Sequence, residues 1–140
     1  MDLSCFCGTD EFQMVIEPFP SLQNTQPNQL PNSGEKLKSI DCLSPIIRQL
    51  RQDGKKVVLC HGVFDLLHMG HVRHLHDAKS HGDVLIVTIT SDAFVNKGPG
   101  KPVFSENLRA EMLSSLTVVD YVTINHTADA EALLEVLQPD

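Results

Sequence analysis

Three short apolar runs alternate along the chain with stretches whose apolar positions recur at helical spacing. Val57-Val58-Leu59-Cys60 follows Lys55-Lys56, and Val84-Leu85-Ile86-Val87-Thr88-Ile89 follows Gly82-Asp83. These runs predict strands near 56–60 and 84–90, and a third strand is expected near 119–124. Helices are predicted near 70–81, 105–116 and 129–137. Continuous apolar runs bounded by turn residues suit buried parallel strands, and the helices between them suit right-handed crossovers. The expected fold is therefore α/β: a Rossmann-like three-layer α/β/α domain with a mainly parallel sheet. Ser105 reads as an N-cap, with Leu108, Met112 and Leu116 on one face of the following helix. Further upstream, Ser44-Pro45 reads as an N-cap followed by proline at the first helical position. Ile46, Ile47 and Leu50 then form an apolar face, and Gly54 is the stop.

The pattern divides the chain. Residues 1–35 carry Pro18, Pro20, Pro27 and Pro31 with polar tracts between them, and read as an extended or disordered extension. Within it, Phe12-Gln13-Met14-Val15-Ile16 is an apolar piece able to dock on a partner surface. Residues 36–54 form a linker and an N-terminal helix, and 55–140 form the principal domain. The net charge of −7 over 140 residues is unevenly spread. No Lys or Arg precedes Lys36, whereas Asp2, Asp10, Glu11, Glu17 and Glu35 do. The remainder is close to balance, which argues against a nucleic-acid surface. No apolar run approaches the ~20 residues of a membrane span. The start Met1-Asp2-Leu3-Ser4-Cys5 lacks the marks of a secretory signal, so a cytoplasmic protein is expected. Cys5, Cys7, Cys42 and Cys60 show no paired C-x-x-C spacing and are read as free thiols.

The chemistry concentrates after the first strand, in Gly62-Val63-Phe64-Asp65-Leu66-Leu67-His68-Met69-Gly70-His71. A glycine turn leading into a helix start that bears two imidazoles suits phosphate binding. Free N–H groups and the positive dipole end attract anions, and imidazoles can donate to phosphate oxygens. Six histidines lie within residues 61–81. A zinc site is set aside because zinc-finger cysteines and H-E-x-x-H are both missing. His61, His74, His76 and His81 are read as surface or supporting residues.

His68-Met69-Gly70-His71, preceded by the G-x-F-D element, resembles the H-x-G-H signature of the nucleotidylyltransferase superfamily. Ser91-Asp92, Lys97-Gly98-Pro99-Gly100-Lys101-Pro102-Val103 and Asn107-Leu108-Arg109-Ala110-Glu111 extend the resemblance. It is closest to the adenylyltransferase domain of the bifunctional heptose-phosphate kinase/adenylyltransferase, and covers roughly Lys55 to Asp140. The resemblance implies transfer of a nucleotidyl group from a nucleoside triphosphate to a sugar phosphate, with release of pyrophosphate. It implies His68, His71 and Lys97 as catalytic residues. Gly62, Val63, Phe64, Gly70 and Lys101 would bind the nucleotide, and Asp65, Asp92 and Arg109 the second substrate. Asp65 is equally readable as a turn-bonding residue, and Arg109 as a helix salt-bridge partner. Mg²⁺ is implied by the triphosphate, with few or no dedicated protein ligands. A homodimer and a fused or associated sugar kinase domain are further expectations; nucleic acid and membrane are not expected partners. Thr117 stands where relatives often carry arginine. The family continues beyond the equivalent of Leu137-Gln138-Pro139-Asp140 into a K-G-x-D-Y segment and an I-S-T-type phosphate motif. The 55–140 domain is therefore expected to be truncated at its C-terminal end. Two other readings are carried: a cytidylyltransferase for glycerol phosphate or phosphoethanolamine-like substrates, and a non-catalytic nucleotide-binding module of a larger protein.

Overall fold

The computed structural model describes residues 33–127 and 131–138. Strands β1 (Val57–Gly62), β2 (Val84–Thr90) and β3 (Tyr121–Asn125) form one parallel sheet in the order β1-β2-β3. Helices α1 (Ser33–Lys36), α2 (Ile40–Gln52), α3 (Met69–Ser80), α4 (Glu106–Ser114) and α5 (Glu131–Leu137) accompany it, with a 3-10 turn at Asp92–Phe94. On one face Cys60, Leu85, Val87, Ile89 and Val122 pack against Leu75 and Ala78 of α3 and Ala110 and Leu113 of α4. On the other, Val57 and Ile86 meet Leu43 and Ile47 of α2 and Leu133 and Leu137 of α5. The three layers follow directly. β2 is central and covered on both faces, so its residues Leu85 to Ile89 are all buried. That double burial is why it reads as a continuous apolar run instead of an alternating one.

Two helix readings need correction. α2 starts a turn before Ser44: Ser39 is the N-cap, its Oγ accepting from the Cys42 N–H at 3.3 Å, and Pro45 lies inside the helix. Starting earlier brings the fully buried Leu43 into the core with Ile47. That burial outweighs the hydrogen bond Pro45 cannot donate to the Asp41 carbonyl, on an exposed residue where water can serve instead. Gly54 does end the segment, at φ +74° with its N–H on the Arg51 carbonyl. In α4 the cap is Ser105 as expected, its Oγ accepting from the Leu108 N–H at 3.5 Å. The buried stripe, however, is Arg109, Ala110 and Leu113, while Leu108 is 50% exposed. Leu116, just past the helix, does pack against the core, but the buried Arg109 and not Leu108 takes the inward position of the first turns.

Residues 1–32, nearly all of the expected extension and its apolar piece 12–16, lie outside the described residues. From residue 33 the chain is tied to the sheet. Leu37 bridges to Val122, the Lys38 N–H donates to the Val122 carbonyl at 2.9 Å, and Lys36 Nζ donates to the Leu116 carbonyl at 2.9 Å. At the opposite end of the sheet from the site, Lys79 pairs with Asp120, whose carboxylate also accepts the Leu85 N–H.

Candidate functional site

The carboxyl ends of β1 and β2 carry the motif residues, where ligands bind in parallel α/β sheets. β1 ends at Gly62, where a Cβ would meet the Phe64 ring at 3.0 Å. Phe64 is buried and sits in the left-handed region at φ +48°, a conformation costing a non-glycine residue about 1–3 kcal/mol. The chain then enters α3 through His68. Its Nδ1 accepts the Gly70 N–H at 3.1 Å, and the His68 N–H faces His71 Nδ1 at 3.4 Å. The two rings stack with centroids 3.9 Å apart, and the His71 ring meets Phe64 edge-on at 5.4 Å. Because His68 Nδ1 is an acceptor, Nε2 is the ring nitrogen left to donate. A first helical turn also offers backbone N–H groups without intrahelical partners. The stacked imidazoles thus sit at the exposed start of α3.

Lys97 is exposed in the loop after β2, close enough for its charge to act on His71. The glycines beside it, Gly98 (φ +91°) and Gly100 (φ +73°), have open space around them. The remaining polar residues are occupied by the protein itself. Asp65 Oδ1 accepts the N–H groups of Val103 at 2.7 Å and Phe104 at 3.1 Å, and its Oδ2 lies 3.8 Å from Lys101 Nζ. Asp92 Oδ1 accepts from Arg109 at 2.6 Å and its Oδ2 from the Glu106 N–H at 3.1 Å. The Asp92 N–H donates in return to Glu106 Oε2 at 2.8 Å. Arg109 is 0% exposed. Of the residues expected at the site, the structure brings together His68, His71, Phe64, Gly70 and Lys97. Arg109 is sealed from solvent and bonded into the framework around them, together with Asp65; Asp92 pairs with Arg109 but keeps its side chain partly exposed. Glu106 was missed by sequence reasoning; its signal was the acidic residue directly after the Ser105 cap.

His71 is held below the ordinary histidine value, first by burial and then by the charges of His68, His74 and Lys97, against a partial upward pull from the Leu66 carbonyl. His71 is therefore neutral near pH 7. Burial likewise lowers His61, whose Nδ1 meets Thr88 Oγ1 at 2.7 Å. For Asp65, burial pushes the carboxyl upward. The Val103 and Phe104 N–H groups and the Lys101 and Arg109 charges outweigh it and hold Asp65 below the usual carboxylate value. Burial raises the Cys60 thiol, which lies 3.9 Å from His74 Nε2 and stays protonated instead of nucleophilic. These directions set a pH dependence. Unfolding restores His61 and His71 to ~6.5, so the unfolded chain binds more protons below that pH. Stability from both histidines is complete above the unfolded value and is lost as pH falls through the folded ones. The melting temperature should therefore drop between pH 7.5 and 5.5, and drop less in His61→Gln. Asp65 adds its own loss only below the usual carboxylate range, outside this window.

Parallel strands ending in an imidazole-bearing helix start, with a lysine loop beside it, define a domain of the nucleotidyltransferase class. The family model described as Cytidylyltransferase-like matches residues 59–140, and the chain belongs to that family. The Bifunctional protein HldE of Geobacter metallireducens is 44% identical over 110 residues, covering 77% of this chain and 22% of that protein. Its counterpart in Wolinella succinogenes is 42% identical over 110 residues, covering 77% and 23%. The chain thus spans less than a quarter of the length of these curated relatives. The crystal structure of the lipopolysaccharide core biosynthesis protein from Thermoplasma volcanium aligns with a TM-score of 0.57 at 35% identity, covering 61% of this chain and 70% of that one.

Proposed function

We propose that this domain transfers a nucleotidyl group from a nucleoside triphosphate to a sugar phosphate of the heptose 1-phosphate kind, releasing pyrophosphate. The observation that carries the reading is the stacked His68–His71 pair at the open start of α3, with Lys97 in its field. The similarity to the HldE proteins supports the sugar-phosphate branch over a glycerol phosphate or phosphoethanolamine substrate. An acceptor phosphate oxygen attacks the α-phosphorus, and the bond from the α-phosphorus to the bridging oxygen breaks. The acceptor is already ionised, so no protein nucleophile is needed, and catalysis rests on positioning and charge stabilisation. The His68 Nε2–H, His71 and the α3 N–H groups meet the phosphates, while Lys97, with Lys101 nearby, neutralises their charge. Gly62, Val63 and Phe64 shape the wall of the nucleotide pocket. Among the described residues, no group of three or more His, Cys, Asp or Glu is placed to hold a metal ion. Asp65 and Asp92 are committed elsewhere. Magnesium would enter on the triphosphate, as part of the substrate. We further propose that the domain works in the cytoplasm, and the similarity to the bifunctional HldE proteins supports a fused or associated sugar kinase.

The experiment is pyrophosphate release from ATP and from CTP with Mg²⁺ and a panel of sugar 1-phosphates and glycerol phosphate. Release with a sugar 1-phosphate supports the reading. Release with glycerol phosphate alone moves it to the other branch, and no release with any acceptor defeats it in favour of a non-catalytic module. A binding prediction accompanies it. Calorimetric affinity should fall far more from ATP to AMP than it changes between ATP and CTP. Lys97→Ala should narrow the ATP advantage over AMP by about tenfold, the scale of one charge-assisted contact. An unchanged ratio would remove Lys97 from the phosphate site.

A further inference from the structure

Arg109 is an arginine with no exposure, and it makes three hydrogen bonds to backbone carbonyls around the site and one to the Asp92 carboxylate. Its Nε–H donates to the Phe104 carbonyl at 3.0 Å and its Nη1 to the Val63 carbonyl at 2.6 Å. Its Nη2 donates to the Thr90 carbonyl at 3.0 Å and to Asp92 Oδ1 at 2.6 Å. Those four acceptors belong to three segments that share no backbone ladder at these atoms: the turn after β1, the end of β2 with the residue starting its 3-10 turn, and the far anchor of the lysine loop. Asp65 makes the reciprocal connection, reaching from the β1 turn to the Val103 and Phe104 N–H groups. The lysine loop is therefore fastened at both ends. Asp92 and Glu106 exchange backbone bonds before it, and Asp65 and Arg109 hold it afterwards. The stretch between carries Lys97 and two positive-φ glycines with nothing packed on them.

We infer that Arg109, with Asp65, is a positioning brace that fixes the distance between the lysine loop and the His68–His71 pair. The mechanism has two parts. The Val63 carbonyl bond holds the turn in which Phe64 adopts its left-handed conformation, and Phe64 is the ring against which His71 rests. A strained residue persists only where its surroundings over-determine it, and the planar guanidinium supplies that constraint from three directions. The Phe104 and Asp92 bonds hold the two ends of the loop, which places the Lys97 charge near His71. Neither Arg109 nor Asp65 touches substrate; both act through the groups they hold. The buried charge is tolerated because Asp92 pairs with it, and its remaining bonds hold three backbone carbonyls in register.

The inference rests on the proposed reaction for its kinetic readout, but the brace can be read without it. In Arg109→Lys a single ammonium replaces a planar fork and cannot span four acceptors. The folded variant should lose about 10²-fold in kcat while the KM for the triphosphate stays within about threefold, the pattern of a lost transition-state alignment. Asp65→Asn, which keeps a carbonyl for the two N–H groups but loses the charge facing Lys101, should move in the same direction by less. It also serves if Arg109→Lys does not fold. Separately, NMR titration of the His71 imidazole should shift upward in both variants, because a freed loop withdraws the Lys97 charge. Wild-type kcat with only a lowered melting temperature would overturn the brace, as would a raised KM at unchanged kcat, or a His71 titration identical to wild type. Should the wild-type chain release no pyrophosphate, the reaction fails, while the His71 titration still decides the brace.

Discussion

Replacing His68 or His71 by alanine should lower the rate of pyrophosphate release by about 10²–10³-fold at saturating substrates, the usual cost of losing one preorganised donor to developing charge. The two variants differ in what else they lose. His68 is also the N-cap of α3, accepting the Gly70 N–H. His68→Ala should therefore cost about 1 kcal/mol of stability as well, as helix caps do. His68→Asn separates the two roles: asparagine caps well but has no Nε2 donor at ring distance. Its melting temperature should return toward wild type while its rate stays low. Full turnover in His68→Asn would reduce His68 to a cap, and full turnover in both alanine variants would remove the imidazole pair from catalysis altogether.

Gly70→Ala should cut turnover by about 10²-fold, the cost of misplacing a catalytic group by around 1 Å, with little change in melting temperature. A Cβ on Gly70 would lie 2.8 Å from His68 Cε1 and 2.9 Å from His68 Nδ1, so something must move. What moves most easily is the exposed imidazole ring, which would leave its stack on His71, since the clash involves no backbone atom. The helix itself gains from alanine over glycine. Comparing thermal melting with steady-state rates tests this. An active Gly70→Ala enzyme would show that His68 need not lie over the helix start. A variant that unfolds would show that the clash is absorbed by the backbone instead.

The sequence was most informative where chemistry and local geometry coincide. The doubly buried β2 run, the Ser105 cap, the Gly54 stop and the helix start at His68 could all be read from residues only a few positions apart. Capping, turn formation and strand burial depend on near neighbours. The placing of His68, Gly70 and His71 together at one helix start was equally local, because two imidazoles and a glycine a few positions apart need no distant partner to meet. The reading of α2 from Ser44 failed for the opposite reason. A proline looks like a helix start locally, but burial of Leu43 against the sheet decided where the helix begins.

The roles of Asp65, Asp92 and Arg109 lay wholly beyond the local sequence. Asp65 reaches residues 103 and 104, and Arg109 reaches Val63, Thr90 and Asp92, so whether each charge faces a ligand or the backbone depends on how three separate segments meet. A carboxylate or guanidinium looks the same in the sequence whether it is open to solvent or sealed. What the sequence by itself determined was the alternation that makes a parallel α/β sheet and the histidine-bearing helix start at its carboxyl edge. The tertiary structure alone decided which charges stay open to solvent and which are spent holding the site together, because a charge can be buried only where the fold brings its partners to it.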